Sequence, residues 1–165
     1  MLPAPRQLKE TVQDHYGKYH PIVDMDYLRN TIAARRPDFL NDFDRTLAAR
    51  ELLLGNIFVM SRPVFEHYSE FLFDLTQALY ENPPADFKDR TAYDARYIGF
   101  LGERLLTAYV PYALKKFSHL RVQHRTMLLV DRDTLRSAGP LRQMRFVAKG
   151  HLSIRDMIRL FREKA

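Results

Sequence analysis

The chain has 165 residues, of which 46% are apolar, 12% aromatic and 28% charged, and its formal net charge is +6. This length and apolar content indicate one folded domain with its own core rather than a disordered chain. The sequence contains no cysteine, which excludes disulfides, thiolate metal sites and a cysteine nucleophile. No run of residues has the length of a membrane span, and the first ten residues do not resemble a signal peptide, so we expect a cytoplasmic protein.

Most of the chain is predicted to be helical, with short strands between the helices. The predicted helices cover residues 9–18, 25–34, 37–48, 63–80 and 96–116, and apolar residues three and four positions apart are clearest in the fourth. Asp24 is expected to cap the second helix, and Pro37 and Pro63 are expected near the starts of the third and fourth. Two β-rich runs, residues 56–60 and 121–130, predict strands. The pattern is typical of a helix-rich α/β fold with a small mixed sheet.

Positive charge is concentrated in the C-terminal third. Residues 1–114 hold 13 Lys and Arg against 16 Asp and Glu, whereas residues 115–165 hold 13 against 4. The basic segment carries few aromatic residues and no nucleic-acid-binding motif, so we predict no nucleic-acid partner. We divide the chain into a domain, residues 1–130, and a basic tail with an amphipathic helix, residues 131–165. The pattern of residues 153–165 fits either peripheral contact with an anionic membrane or a helix packed on the core.

Three charged residues interrupt the apolar pattern of the last predicted helix of the domain. Arg96 and Glu103 are seven positions apart, which places them on one side of a helix about two turns from each other. Arg104 follows directly. Such groups must reach solvent, form ion pairs or line a cleft in which their charge is used. The sequence leaves an ion pair of Glu103 with Arg96 or Arg104 as open as a catalytic role.

Three further segments occur in the order and spacing of a known family. They are D-H-Y-G-K-Y-H at residues 14–20, G-N-I-F-V-M-S-R-P-V-F-E-H-Y-S-E-F-L-F-D-L at residues 55–75, and R-Y-I-G-F-L-G-E-R-L-L at residues 96–106. Over residues 5–115 the chain resembles the C-terminal half of an uncharacterised domain family of capsular and exopolysaccharide glycosyltransferases. The resemblance implies the acceptor-side part of a GT-A-like glycosyltransferase domain.

The resemblance also implies a substrate and a location. The expected reaction transfers a sugar from a nucleotide-sugar donor to a lipid-linked glycan acceptor, on the cytoplasmic face of a bacterial plasma membrane, in capsule, exopolysaccharide or lipopolysaccharide synthesis. The family's N-terminal half carries the first nucleotide-binding strands and a His-Tyr-Arg-Arg segment, for which we find no counterpart. We therefore expect either that the chain is a fragment of a longer glycosyltransferase or that a partner chain supplies this half. The alternative function is a non-catalytic fragment or interaction module that needs a partner chain.

Glu103 is the expected catalytic base, because an attacking hydroxyl must lose its proton and a carboxylate is the usual acceptor. Arg96 is expected to bind a donor phosphate or to orient Glu103, since a guanidinium suits either anion. Arg104 is expected among the substrate-binding residues.

A second set of expected substrate-binding residues lies elsewhere in the sequence. His15, Tyr16 and His20 could bind sugar hydroxyls or a metal-bound phosphate, or could be structural. The two histidines point together only if the chain leaves helical geometry before Pro21. Asn56 is expected to bind a hydroxyl or to cap a turn.

A divalent cation, Mn²⁺ or Mg²⁺, is expected with the donor diphosphate, but its ligands are unknown. Asp24-Met25-Asp26 is interpreted as a helix start rather than a metal site. Asp131-Arg132-Asp133 follows an apolar run, yet its arginine and the basic tail oppose a cation.

Overall fold

The fold is known here from a computed structural model that describes residues 1–125, of which residues 1–124 form one compact unit. The helices are α1 (Val12–Tyr19), α2 (Val23–Arg35), α3 (Leu40–Ala48), α4 (Arg62–Glu81) and α5 (Tyr97–Lys116), and the strands are β1 (Leu2–Pro3), β2 (Arg6–Gln7), β3 (Glu51–Leu52) and β4 (His124–Arg125). Short 3₁₀ turns occupy Pro37–Phe39, Phe87–Asp89 and Asp94–Arg96. The predicted helix-rich α/β class is confirmed. In the described part of the chain, no helix combines the length and the apolar content needed to cross a bilayer.

The strands form two separate pairs instead of one sheet. β2 and β3 are antiparallel, with Arg6 opposite Leu52, and β1 pairs with β4. The strand prediction for residues 56–60 is wrong, because the structure has no strand there. The segment contacts the start of the chain at one point, where the Val59 N–H donates to the Met1 carbonyl at 2.9 Å. The strand predicted at residues 121–130 lies within the described residues only as far as residue 125, and His124–Arg125 of it is in a strand. Residues 126–165, with the predicted tail, lie outside the described residues.

Helix α5 lies at the centre of the unit and packs against α2, α3 and α4. Its fully buried apolar residues lie on more than one side of the helix, because adjacent residues such as Leu105 and Leu106 are about 100° apart. They are Leu101, Leu105, Leu106 and Ala108. Aromatic rings from the other helices complete this core, including Phe39, Phe43 and Phe71. Because α5 is surrounded on several sides, polar side chains on it are held in fixed positions.

The irregular segment after β3 is fastened to α5 by side chains. Thr107 accepts a hydrogen bond from the Leu53 N–H at 3.2 Å and donates to the Glu103 carbonyl at 2.7 Å. Gly55 takes a φ of 76°, which a glycine adopts without steric cost. Asn56 then donates its side-chain N–H to the Gly99 carbonyl at 3.3 Å. The chain therefore runs closely along one face of α5.

The two glycines of α5 provide a test of this close approach. A Cβ at Gly102 would lie 3.2 Å from Asn56 Oδ1, whereas a Cβ at Gly99 meets nothing within 4 Å. We expect Gly99→Ala to stabilise the protein by about 0.5–1 kcal/mol through helix propensity. Gly102→Ala should stabilise it less, or destabilise it, because Asn56 has to shift. Urea unfolding measures both. In an Asn56→Ala background the difference between the two substitutions should largely vanish, and a persistent difference would contradict this account.

Candidate functional site

Glu103 and Arg104 form an ion pair on the side of α5 that faces the segment after β3. Arg104 Nη1 donates to Glu103 Oε2 at 2.8 Å, and the Gly55 N–H donates to Glu103 Oε1 at 3.0 Å. The Glu103 side chain is 22% exposed, while that of Arg104 is only 2% exposed. The carboxylate is therefore fixed by one bond on each oxygen and still reaches the surface.

Arg104 connects this carboxylate to helix α1. Its guanidinium lies 5.0 Å from the centre of the Tyr16 ring, a cation–π distance. Its Nη2 lies 3.4 Å from His15 Nδ1, which is the acceptor in this contact because arginine has no acceptor atom. Nη1 also donates to the Phe100 carbonyl at 2.9 Å. One buried cation thus joins α1 and α5.

His20 completes this cluster from the end of α1. The helix stops at Tyr19, and His20 has extended backbone angles, φ −142° and ψ 158°. This break turns the imidazole ring over Tyr16, at 4.8 Å between ring centres, and onto Phe100, at 4.1 Å. The chain thus leaves helical geometry before Pro21, which is the condition under which His15 and His20 can point to the same side of α1. We call His15, Tyr16, His20, Glu103 and Arg104 the α1–α5 cluster.

A buried ionic group supports the cluster from below. The Tyr16 hydroxyl donates to Asp24 Oδ2 at 2.8 Å, and Arg90 Nη2 donates to Asp24 Oδ1 at 2.6 Å. Asp24 is fully buried and the Arg90 side chain is 3% exposed. Burial and the adjacent Asp24 carboxylate both raise the pKa of the Tyr16 hydroxyl, which therefore stays protonated as a donor. The net pKa of Arg90 is raised: burial by itself would lower it, but the hydrogen bonds and negative charges of Asp24 and Asp86 outweigh that effect.

The role of Asp24 differs from the sequence prediction. Helix α2 begins at Val23 after an Ile22 cap that makes no side-chain bond, so Asp24 does not cap the helix. Its carboxylate oxygens are used by Tyr16 and Arg90 instead.

Both histidines of the α1–α5 cluster favour the neutral state. Burial, followed by the positive charge of Arg104, lowers the pKa of His15. The same two causes, in the same order, lower the pKa of His20. Burial also lowers the pKa of the Arg104 guanidinium, although the paired Glu103 opposes this. At neutral pH the histidines are therefore uncharged groups able to donate or accept hydrogen bonds.

Two of the predicted site residues lie beside the cluster rather than within it. Arg96 is exposed at the start of α5, and its guanidinium lies 5.7 Å from the centre of the Phe100 ring. The bonds that orient Glu103 come from Arg104 and Gly55. Asn56 binds the backbone of α5 at Gly99. Its observed contact is a structural one.

Two cavities lie away from this cluster. A cavity of about 180 Å³ opens near Met1, Val59 and Val110, and another of about 280 Å³ lies between Gln13, Arg29 and Asp44. The α1–α5 cluster lines neither of them. Among residues 1–125 no group of three or more histidine, aspartate or glutamate side chains is placed to hold a metal ion. The Asp131-Arg132-Asp133 string lies outside the described residues.

Several residues of the site were not foreseen from the sequence. Arg90 lies 66 positions from its partner Asp24, and no local pattern indicates that pairing. Phe100 was expected only as an ordinary apolar helix residue. Thr107 binds the Leu53 backbone and Gly55 binds the Glu103 carboxylate. In the sequence, Thr107 looks like an ordinary polar residue of a helix and Gly55 like the end of a regular element. Only the clustering of charge on an apolar helix gave a usable signal.

The helix-rich α/β fold is glycosyltransferase-like. The chain is similar to a solved apo structure of a bifunctional glycosyltransferase, WbbM, with 26% identity and a TM-score of 0.67 over 74% of this chain. The match spans 22% of that protein's length.

A family model described as a domain of unknown function, DUF4422, matches residues 1–114. The chain belongs to this family. No curated protein gives a significant match.

Removal of the buried Asp24 carboxylate should strongly destabilise the protein. We expect Asp24→Ala to lower the free energy of unfolding by about 3–5 kcal/mol, since it leaves the Arg90 charge buried without that partner. Tyr16→Phe should cost about 1 kcal/mol, because it removes a single hydrogen bond to a group that keeps Arg90. Urea unfolding followed by circular dichroism measures these changes.

A matched control is the more exposed pair of Arg29 with Asp44, whose oxygens lie 2.7 Å and 2.8 Å from the guanidinium nitrogens. Asp44→Ala should cost less than about 1 kcal/mol. Equal losses for Asp24→Ala and Asp44→Ala would contradict the structural importance of the buried group.

The lowered pKa values of His15 and His20 predict a loss of stability in mild acid. A group whose folded pKa lies below its unfolded value of 6.5 stabilises the fold above that value and loses this contribution as pH falls through the folded pKa. The unfolding free energy should therefore decline between pH 7.5 and pH 5.5. The double variant His15→Gln/His20→Gln should decline less steeply, with a remaining slope from His67, whose pKa burial also lowers. Parallel pH profiles for the two proteins would contradict the assignment.

Proposed function

We propose that this chain is the acceptor-side part of a glycosyltransferase. In this proposal it takes part in transferring a sugar from a nucleotide-sugar donor to a glycan acceptor, in capsular, exopolysaccharide or lipopolysaccharide synthesis. The observation that carries the proposal is the α1–α5 cluster. Residues from two distant segments, His15 to His20 and Glu103 to Arg104, meet around one buried guanidinium, on a chain similar to a glycosyltransferase.

Glu103 is the proposed general base. The acceptor hydroxyl oxygen forms a bond to the anomeric carbon of the donor sugar, and the bond from that carbon to the nucleoside diphosphate breaks. The hydroxyl proton passes to Glu103, and the electron pair leaves with the diphosphate. A carboxylate oxygen can accept more than one hydrogen bond, so the bonds from Arg104 and Gly55 leave capacity for a hydroxyl. The same bonds hold the carboxylate in one orientation, which favours proton transfer.

The neighbouring side chains suit hydroxyl recognition. His15 and His20 are neutral hydrogen-bonding groups beside Glu103 and Arg104, as the direction of their pKa shifts requires. The exposed guanidinium of Arg96 at the start of α5 is proposed to bind a phosphate of the donor. Tyr16 supports these groups through its ring and through Asp24. Asn56 is proposed to reach a hydroxyl only if its bond to Gly99 opens.

The donor side of the reaction is proposed to involve further groups. Because the described residues provide no ligand cluster for a metal, we derive no step through Mn²⁺ or Mg²⁺ on residues 1–125. A partner chain that contributes donor-binding strands is part of the proposal, as are a lipid-linked acceptor and peripheral contact of the basic tail with the cytoplasmic face of the plasma membrane. These parts rest on the sequence resemblance and on the charge of the tail.

The alternative is a non-catalytic interaction module that needs a partner chain. The observation that favours it is the completeness of the Glu103–Arg104 pair: each carboxylate oxygen already has a protein partner, and Arg104 is buried. A purely structural ion pair requires the same arrangement. The two functions differ in whether Glu103 changes a reaction rate.

The test is the release of nucleoside diphosphate from a panel of UDP- and GDP-hexoses, with methyl hexopyranosides as acceptors and with Mn²⁺ present. The full chain is compared with Glu103→Gln and Arg96→Ala. Glu103→Gln should lower kcat by about 100-fold or more with little change in KM, because an amide cannot take the proton. Arg96→Ala should instead weaken the thermal stabilisation produced by the nucleotide sugar.

Glu66→Gln is the matched control, since Glu66 is an exposed carboxylate paired with Arg62 on α4. It should leave turnover within about twofold. All rates are normalised to the folded fraction measured by circular dichroism, because Glu103→Gln also removes a partner of buried Arg104. If no nucleotide sugar stabilises the chain or is turned over, the interaction module becomes the better reading.

A further inference from the structure

Two tyrosines beside the α1–α5 cluster have no role in the function proposed so far. Tyr19, the last residue of α1, is 56% exposed, and Tyr93, in the turn before α5, is 54% exposed. They come from opposite sides of the cluster. Single exposed aromatic residues are common on protein surfaces, but these two are arranged around the same polar groups.

Both rings are supported from behind by other rings. Tyr19 lies against His15 at 5.2 Å between ring centres, and Tyr93 lies against His20 at 5.8 Å and Phe100 at 5.0 Å. His20 and Phe100 are themselves stacked at 4.1 Å. The tyrosine rings are therefore restrained while much of their surface stays in contact with solvent. A restrained aromatic surface binds ligands with a small loss of side-chain entropy.

Unmet hydrogen-bonding capacity lies next to these rings. Arg104 Nε and His20 Nδ1 are both buried, and neither has a hydrogen-bond partner among the described residues. The Arg104 side chain is 2% exposed. A buried polar atom without a partner is costly unless a ligand or water binds it. Arg104 Nε is a donor, and neutral His20 Nδ1 can donate or accept according to its tautomer.

The ligand that matches this combination has an apolar face and hydroxyls at its edge. A hexopyranose has both features: its ring C–H groups can lie on an aromatic face, while its hydroxyls donate and accept hydrogen bonds. We propose that Tyr19 and Tyr93, with His20 and Arg104, form a saccharide-binding surface that holds a hexopyranose unit of a glycan next to Glu103. The identification of this unit as the acceptor rests on the proposed transferase function, whereas saccharide binding itself does not.

A nucleobase could also stack on a tyrosine ring, but the arrangement favours a sugar. His20 is stacked with both Tyr93 and Phe100, so ring faces at the cluster are already partly covered by other rings. The guanidinium of buried Arg104 already donates to Glu103 and to the Phe100 carbonyl. Small hydroxyl groups fit the two unpaired nitrogen atoms better than a second charged group does.

The test is saturation-transfer NMR on the full chain with the methyl α- and β-pyranosides of glucose, galactose, mannose and N-acetylglucosamine, and with UMP as a separate arm. At least one glycoside should receive saturation, most strongly on the ring protons of one face. Tyr93→Ala and Tyr19→Ala should each lower this signal about fivefold or more. Tyr93→Phe should retain it, because no hydrogen bond of the Tyr93 hydroxyl is required. Tyr80→Ala is the matched control, since Tyr80 is 77% exposed near the end of α4.

The outcomes separate this proposal from the transferase proposal. Glycoside binding that depends on Tyr93 but occurs without any sugar transfer supports the saccharide surface and not the enzyme. Sugar transfer that is unchanged in Tyr19→Ala and Tyr93→Ala overturns the surface while the enzyme stands. The surface is also overturned by the absence of a signal with every glycoside, by a signal that Tyr80→Ala lowers equally, or by a signal from UMP alone.

Discussion

The burial of the Arg104 guanidinium is the constraint on which the rest of the described structure depends. A guanidinium cannot lose its proton, so it can be placed in the protein interior only if surrounding groups stabilise a positive charge. Glu103, the Phe100 carbonyl and the Tyr16 ring provide that stabilisation. Since these groups belong to α5 and α1, the charge requires the two helices to lie against each other. Through Glu103 it also fixes Gly55 and the segment after β3.

A second buried charge sits behind the first, with Tyr16 between them. Its ring lies against Arg104, and its hydroxyl binds Asp24, which in turn binds Arg90. Because the Tyr16 hydroxyl stays protonated, it can serve as a donor to Asp24 across the whole physiological pH range. The histidines above it are kept neutral by burial and by Arg104. The charge of Arg104 is paired with the partly exposed Glu103, and the charge of Arg90 with the buried Asp24, so the two uncharged histidines lie beside groups that are held in fixed positions.

The sequence predicted local features well and distant pairings poorly. Helical periodicity located all five α-helices of residues 1–125, because an apolar stripe on one face is a local property. The run at residues 56–60 has β-forming residues but contacts only Met1 at the start of the chain. A strand needs a neighbouring strand to pair with, and the sequence of the run does not show whether the fold provides one. The pairing of Asp24 with Arg90 was missed for the same reason: each looks like an ordinary helix-start or loop residue until the fold brings them together. The cluster of Glu103 and Arg104 was visible because two charges interrupted a single apolar helix.

Glu103 illustrates why a structural and a chemical role need not compete. An isolated carboxylate on a helix surface samples many rotamers, and most of them would not face an acceptor hydroxyl. The bonds that Arg104 and Gly55 make to it remove this freedom and still leave part of the side chain at the surface. An ion pair formed only for stability could have been buried completely or left on the solvent side, as the Arg29–Asp44 pair is. The intermediate exposure of Glu103 leaves part of a fixed carboxylate at the surface, bound to an arginine whose guanidinium also contacts Tyr16 and His15, and this position is the strongest physical argument for the proposed chemistry.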